Sequence, residues 1–134
     1  MGERLGNALI AYLDTHVAVW LAEGSLGRHS RRALSLVGRS DLLVSPMVVL
    51  ELEYLYELKR SGLAAREVLL KLEHEVGARV CELSFPQIAS VAIDEKWTRD
   101  PFDRVIVAQA KANGWAALVS ADETIAKHYA RTVW

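Results

Sequence analysis

Ala8-Leu9-Ile10-Ala11-Tyr12-Leu13, followed at once by Asp14-Thr15, decides the fold. A short, almost continuous apolar run suits a strand buried on both faces of a parallel sheet. Asp14-Thr15 then predicts the cap of a short helix over about 17–23, stopped by Gly24. The same alternation repeats down the chain. A helix is expected over 27–37 and a strand over 42–44. Ser45-Pro46 opens a helix to about Arg60, with proline at the first helical position, and Ser61-Gly62 breaks it. A further helix over 64–75 carries Val68, Leu69 and Leu72 on one face. Strand 79–83, helix 86–94, helix 100–113, strand 117–119, helix 122–129 and a last short strand at Thr132-Val133 complete the series. Strands alternating with helices predict an α/β sandwich, three-layered, with a mostly parallel sheet of about four or five strands.

Composition narrows the class. The chain has 134 residues, which is expected to form a single domain over 1–134. Apolar residues make up 51% and charged residues 25%, so disorder and fibrous repeats are excluded. Sixteen basic residues against seventeen acidic give a net charge of −1, which excludes a strongly basic nucleic-acid coat but not a local patch. Cys81 is the one cysteine and can form no internal disulfide, in keeping with a reducing compartment. No stretch is long enough to span a membrane, and the run ending at Leu13 is too short for a signal core. A cytoplasmic protein with no membrane partner is expected.

The acidic residues carry the functional signal. Asp14 ends the first strand, at the carboxyl edge where parallel α/β sheets gather their ligand sites. Glu51 has Met47, Tyr54 and Leu55 as helical neighbours, so it lies along an apolar stripe. Glu53 points the other way, with Glu57 and Arg60 on a solvated edge. Asp103 neighbours Ile106, Val107 and Ala110, and Asp100 sits at the cap of the same helix. Asp122 follows the fourth strand after Ser120-Ala121. Each has a plain alternative as an N-cap, a first-turn acid or a side chain reaching out to water. Together they predict a cluster, and clustered carboxylates need compensation such as a divalent cation. Oxygen-only ligands select Mg²⁺ or Mn²⁺. Such sites hydrolyse phosphodiesters, with water activated at one ion and, where a second is present, the leaving oxygen steadied.

The runs Leu13-Asp14-Thr15-His16-Val17-Ala18-Val19-Trp20, Leu50-Glu51-Leu52-Glu53-Tyr54-Leu55, Arg99 to Ala110 and Leu118-Val119-Ser120-Ala121-Asp122-Glu123 resemble the PIN-domain family. More narrowly, they are similar to VapC-type toxins of toxin–antitoxin pairs. The resemblance implies a PIN fold, a Mg²⁺- or Mn²⁺-dependent endoribonuclease, a cognate VapB-like antitoxin and a homodimer. It implies that Asp14, Glu51, Asp103 and Asp122 form the acidic quartet that is catalytic and binds metal, with Asp100 as an accessory acid. Thr15 and Ser120 match hydroxyl positions beside the acids, serine standing where threonine is usual. Rival expectations are a PIN nuclease in RNA processing without a toxin role, an inactive PIN module that binds a partner, and a metal-dependent phosphatase.

The basic residues are weighed for RNA. Arg28, Arg31, Arg32 and Arg39 form the densest basic segment, while Lys96, Arg99 and Arg104 flank the third acidic block. Arg28, Arg31, Arg32, Lys96 and Arg99 are candidates to guide a phosphate backbone. Arg104 is an accessory candidate, placed to pair with an acid. The four histidines show no zinc-like spacing, and His16 stands next to the acids. Trp20 and Trp134 are expected to pack rather than stack on bases. Cys81 is expected to be a buried filler. Tyr54, Leu55, Leu58 and the helix Ala64 to Glu75 are candidates for a dimer face.

Overall fold

A computed structural model describes residues 9–134. Ala8, the expected first residue of the opening strand, lies outside them. Strand β1 is Leu9–Leu13, β2 is Ser40–Val44, β3 is Arg79–Val80, β4 is Ala117–Val119 and β5 is Thr132–Val133. They form one sheet in the order β3-β2-β1-β4-β5, with every neighbouring pair parallel. Helices flank it, so the expected α/β sandwich holds and the sheet has five strands.

β1 is central and pairs on both edges, Tyr12 lying opposite Leu43 and Leu118. Ala11, Tyr12 and Leu13 are fully buried, whereas Leu9 and Ile10 are exposed. Burial on both faces therefore starts at Ala11. Leu42, Val44 and Leu118 from the neighbouring strands join these residues in the core. Tyr12 is not wholly apolar there. Its hydroxyl donates to Cys81 Sγ at 3.2 Å and accepts from Asn113 Nδ2 at 2.8 Å. Cys81 is thus buried as expected, but it is also an acceptor.

After β1 come α1 (Thr15–Ala22), α2 (Leu26–His29) and α3 (Arg31–Gly38). One helix was expected over the last two. Ser30 divides them because its extended backbone and hydroxyl, which accepts from Ala33 N–H at 3.0 Å, make it an N-cap. Helix α4 (Pro46–Glu57) stops three residues before Arg60. Lys59 takes the left-handed conformation, φ 59°, and Arg60 N–H donates back to the Leu55 carbonyl at 2.8 Å. This is a Schellman stop made without glycine, so Ser61-Gly62 is not the break.

The buried stripe of α4 is Val48, Leu52 and Leu55, with Glu51 half-buried at its border. Tyr54 and Leu58 are exposed, and Leu55, at 6% exposure, cannot form a dimer face. Glu53 also departs from expectation. It is half-buried and accepts from the Ala65 N–H at 3.1 Å, so it caps α5 (Ala65–Val76) instead of facing water.

The rest of the chain places the site. Helix α6 is Phe85–Ala92, α7 is Pro101–Ala112 and α8 is Glu123–His128. β3 ends at Val80 rather than Leu83. Ile88 and Ala92 of α6 pack with Val105 and Ala108 of α7 in a small second core. Ser45 fixes α4 against α7 by donating to Gln109 Oε1 at 2.9 Å. Among the described residues, no helix is long and apolar enough to cross a membrane.

Candidate active site

Asp14, Glu51, Asp100, Asp103 and Asp122 line one cleft of about 350 Å³, together with His16 and Trp20. Four elements deliver the carboxylates. Asp14 follows β1, where its N–H donates to the Val119 carbonyl of β4 at 3.0 Å. Asp122 lies three residues past the end of β4. Parallel pairing of β1 with β4 therefore brings both acids to the same carboxyl edge. Glu51 comes from the middle of α4, and Asp100 and Asp103 from the start of α7.

Two hydroxyls tie these acids together. Ser120 donates to Asp14 Oδ2 at 2.5 Å and accepts from the Asp122 N–H at 3.1 Å. Thr15 donates from its backbone N–H to Asp14 Oδ1 at 2.8 Å, and from its hydroxyl to Glu51 Oε1 at 2.5 Å. Asp14 is thereby held by donors on both oxygens while nearly buried. Asp100 and Asp122 are true caps. Asp100 Oδ1 accepts from Phe102 N–H at 2.8 Å, and Asp122 Oδ1 accepts from the Thr124 and Ile125 N–H groups at 2.8 and 3.1 Å. Capping engages one oxygen of each and leaves the carboxylate on the cleft wall, so cap and site member are compatible roles.

The electrostatics are those of acids crowded without a cation. Burial pushes the Asp103 carboxyl up to about 7, and Asp100, Asp14, Asp122 and Glu51 push in the same direction. Burial also raises Glu51, against the Thr15 hydrogen bond, with Asp14 and Asp100 adding to the rise. Asp14 is raised by burial, against the donors Ser120 and Thr15. Among the described residues the only ion pair is Lys111 Nζ with Glu95 Oε2 at 2.6 Å, away from these acids.

A divalent cation fits this donor set in kind. All the acids offer oxygen, the donor that hard Mg²⁺ and Mn²⁺ prefer. No group of three His, Cys, Asp or Glu side chains among the described residues is gathered as one ion's ligands. Mg²⁺ does not require such a cage, because it keeps several waters and takes one or two carboxylates.

The basic candidates do not converge on the cleft. Arg28 and Arg31 line a separate groove with Leu34, and Arg32 lines another beside β5. Lys96 and Arg99 are exposed on the segment leading to Asp100. Arg104 pairs with no acid among the described residues. Its Nε donates to the Thr98 carbonyl at 2.9 Å and so secures that segment. Trp97 adds to the hold by stacking on His128 of α8, rings 4.9 Å apart and 9° from parallel, while its indole N–H donates to Glu95 at 2.8 Å. The segment leading into α7 is thus tied to the end of α8 through rings.

Several residues went unread in the sequence. Glu95, 3% exposed, is a buried charge that nothing in its local pattern announces. Gln109 is fully buried, and its Nε2 has no partner among the described residues. Trp20 was expected only to pack, but it lines the cleft. Its four-residue spacing from His16, just after Asp14, was the available signal.

Fold and site together define an all-parallel α/β protein with an acidic, all-oxygen cleft at the carboxyl edge of its sheet. The PIN domain family model matches residues 11–131, and the chain belongs to that family, whose members are generally nucleases. No curated protein matches the sequence. Among solved structures, the chain is similar to one in VapBC2 from Rickettsia felis bound to a DNA fragment from the promoter. The TM-score is 0.62 at 17% identity, over 93% of this chain and 96% of that one. At that identity the likeness is one of fold.

Proposed function

We propose that this chain is a Mg²⁺- or Mn²⁺-dependent endoribonuclease, the toxin of a VapBC-type pair, with a VapB-like antitoxin as partner, acting as a cytoplasmic homodimer built on a single PIN domain. The observation that carries the nuclease reading is the convergence of Asp14, Glu51, Asp103 and Asp122, with Asp100, on one cleft where none of them makes an ion pair among the described residues. The toxin and antitoxin assignment is supported by the family match and by the neighbour's being a VapBC complex.

Asp14, Glu51, Asp103 and Asp122 would hold the cation, with Asp100 accessory. Bound there, it would supply Lewis-acid activation of water and neutralise charge developing on the phosphodiester. The chain's own residues do the positioning. Ser120 and Thr15 donate to Asp14 and so oppose the burial that raises its carboxyl, and Thr15 fixes Glu51 beside it. Attack by water on the phosphorus with the 3′-oxygen as leaving group is expected to give a 5′-phosphate and a 3′-hydroxyl.

The test is cleavage of RNA by the purified protein. Glu51→Gln and Asp103→Asn should fold and lose most of the activity. EDTA should stop the parent, and Mg²⁺ or Mn²⁺ should restore it. Parent-rate cleavage by either variant removes that residue from the site, and cleavage surviving EDTA overturns the metal mechanism. Expression should arrest growth, and the adjacent antitoxin should relieve it. Failure to bind Mg²⁺ in a calorimetric titration would decide against catalysis and for a module that only binds a partner.

A further inference from the structure

A cleft walled by five carboxylates can hold a phosphate only through cations, and on the acid side it offers an attached nucleobase hydrogen-bond acceptors but no ring to stack on. The remaining wall differs in kind. His16 is exposed there, and Trp20 lies one helical turn further along α1. Their ring centroids are 6.0 Å apart at 45°. Trp20 is itself braced. His29 stacks on it at 3.9 Å and 15°, and Trp134 leans on it at 5.6 Å and 41°. Rings from α1, α2 and the end of the chain thus form a continuous ladder that begins at the acid cleft. Such bracing fixes the Trp20 plane, and the His16 ring at the ladder's open end has its surface toward solvent.

We infer that this ladder is a stacking platform, on which an unpaired base adjoining the phosphate at the acid cleft rests against His16 and the cleft-facing edge of Trp20. The ligand class is single-stranded nucleic acid, because a base inside a duplex already has both faces covered. Stacking of this kind tolerates any base, since every base has a π-face. His16 and Trp20 are positioning residues for the substrate. The inference rests on the nuclease reading given above.

The test compares His16→Ala and His16→Phe with the parent on a short single-stranded RNA in Mg²⁺. Loss of a base–aromatic stack is expected to raise KM for the alanine variant by roughly five- to a hundredfold, with kcat little changed. The phenylalanine variant should stay near the parent, because it keeps the ring and discards the imidazole's charge and hydrogen bonds. Replacing one nucleotide beside the cleaved bond with an abasic one should erase the difference between parent and His16→Ala. Equal loss in the Phe and Ala variants, or an alanine defect unchanged on the abasic strand, overturns the platform. Anisotropy of the labelled strand in Ca²⁺ reads binding separately. Ring-dependent binding with no cleavage would overturn the nuclease reading and leave the platform standing. Cleavage indifferent to His16→Ala would do the reverse, and a parent that neither binds nor cleaves overturns both.

Discussion

Asp103→Asn should make the metal-free protein more stable at neutral pH, although it removes an acid from the first turn of a helix. In the folded state burial and four neighbouring carboxyls raise the Asp103 pKa from 3.8 to about 7. The unfolded chain keeps the ordinary value. Between these values the folded state holds a proton that the unfolded state has lost. Stability is therefore greatest at low pH and declines as pH rises from about 4 to about 7. The full shift corresponds to about 4 kcal/mol, and solvent screening at this half-buried group reduces it to ~2 kcal/mol. Losing the favourable interaction of Asp103 with the α7 dipole costs about 0.3–1 kcal/mol, so relief of repulsion wins. In EDTA at pH 8 the variant should melt roughly 4–8 °C above the parent. At pH 4 the two should nearly coincide. Saturating Mg²⁺ should then raise the parent more than the variant, by about 2.7 kcal/mol for the parent at a hundredfold excess over Kd. Thermal melts across pH, with and without Mg²⁺, give both quantities. Glu57→Gln, exposed on the last turn of α4, serves as the control, because Glu53 has a structural hydrogen bond. An Asp103→Asn variant that melts below the parent at pH 8 in EDTA would refute the electrostatic account and leave Asp103 a first-turn helix acid.

Ser120→Ala removes a donor to buried Asp14 and an acceptor for Asp122 N–H, so it should cost about 1–3 kcal/mol. The deficit should grow as pH rises, because that donor favours the ionised form of Asp14, and chemical denaturation at two pH values measures it. Glu53→Ala should destabilise by about 1 kcal/mol by uncapping α5, with amide exchange near Ala65 rising first. Lys111→Met should cost about 3 kcal/mol or more by stranding the Glu95 charge, whereas Lys111→Met with Glu95→Leu should recover much of it in a denaturation cycle.

The linear order of residues was enough for the alternation of strands and helices, and for singling out acids that the structure brings to one cleft. Those features are local. The β1 run, Ser45-Pro46 and Asp100-Pro101 determine their own segments by hydrophobic period and cap chemistry, and an acid on an apolar stripe is conspicuous without a partner. Even so, local signals failed where an unexpected residue did a standard task. Lys59 ends α4 in a conformation normally left to glycine, and Ser30 splits one expected helix into two. What only the tertiary structure decided were the pairings across long stretches of chain. Parallel pairing of β1 with β4 sets Ser120 against Asp14, separated by 106 residues, and packing of α4 turns Glu51 onto Thr15. It also sends the arginines of α2 and α3 into other grooves, takes Arg104 to a carbonyl, and turns Glu53 into a cap for the next helix. A hydrogen bond or a carboxylate's pKa depends on distances of a few ångströms between residues that the sequence leaves unrelated, and those distances exist only once the sheet has closed its register.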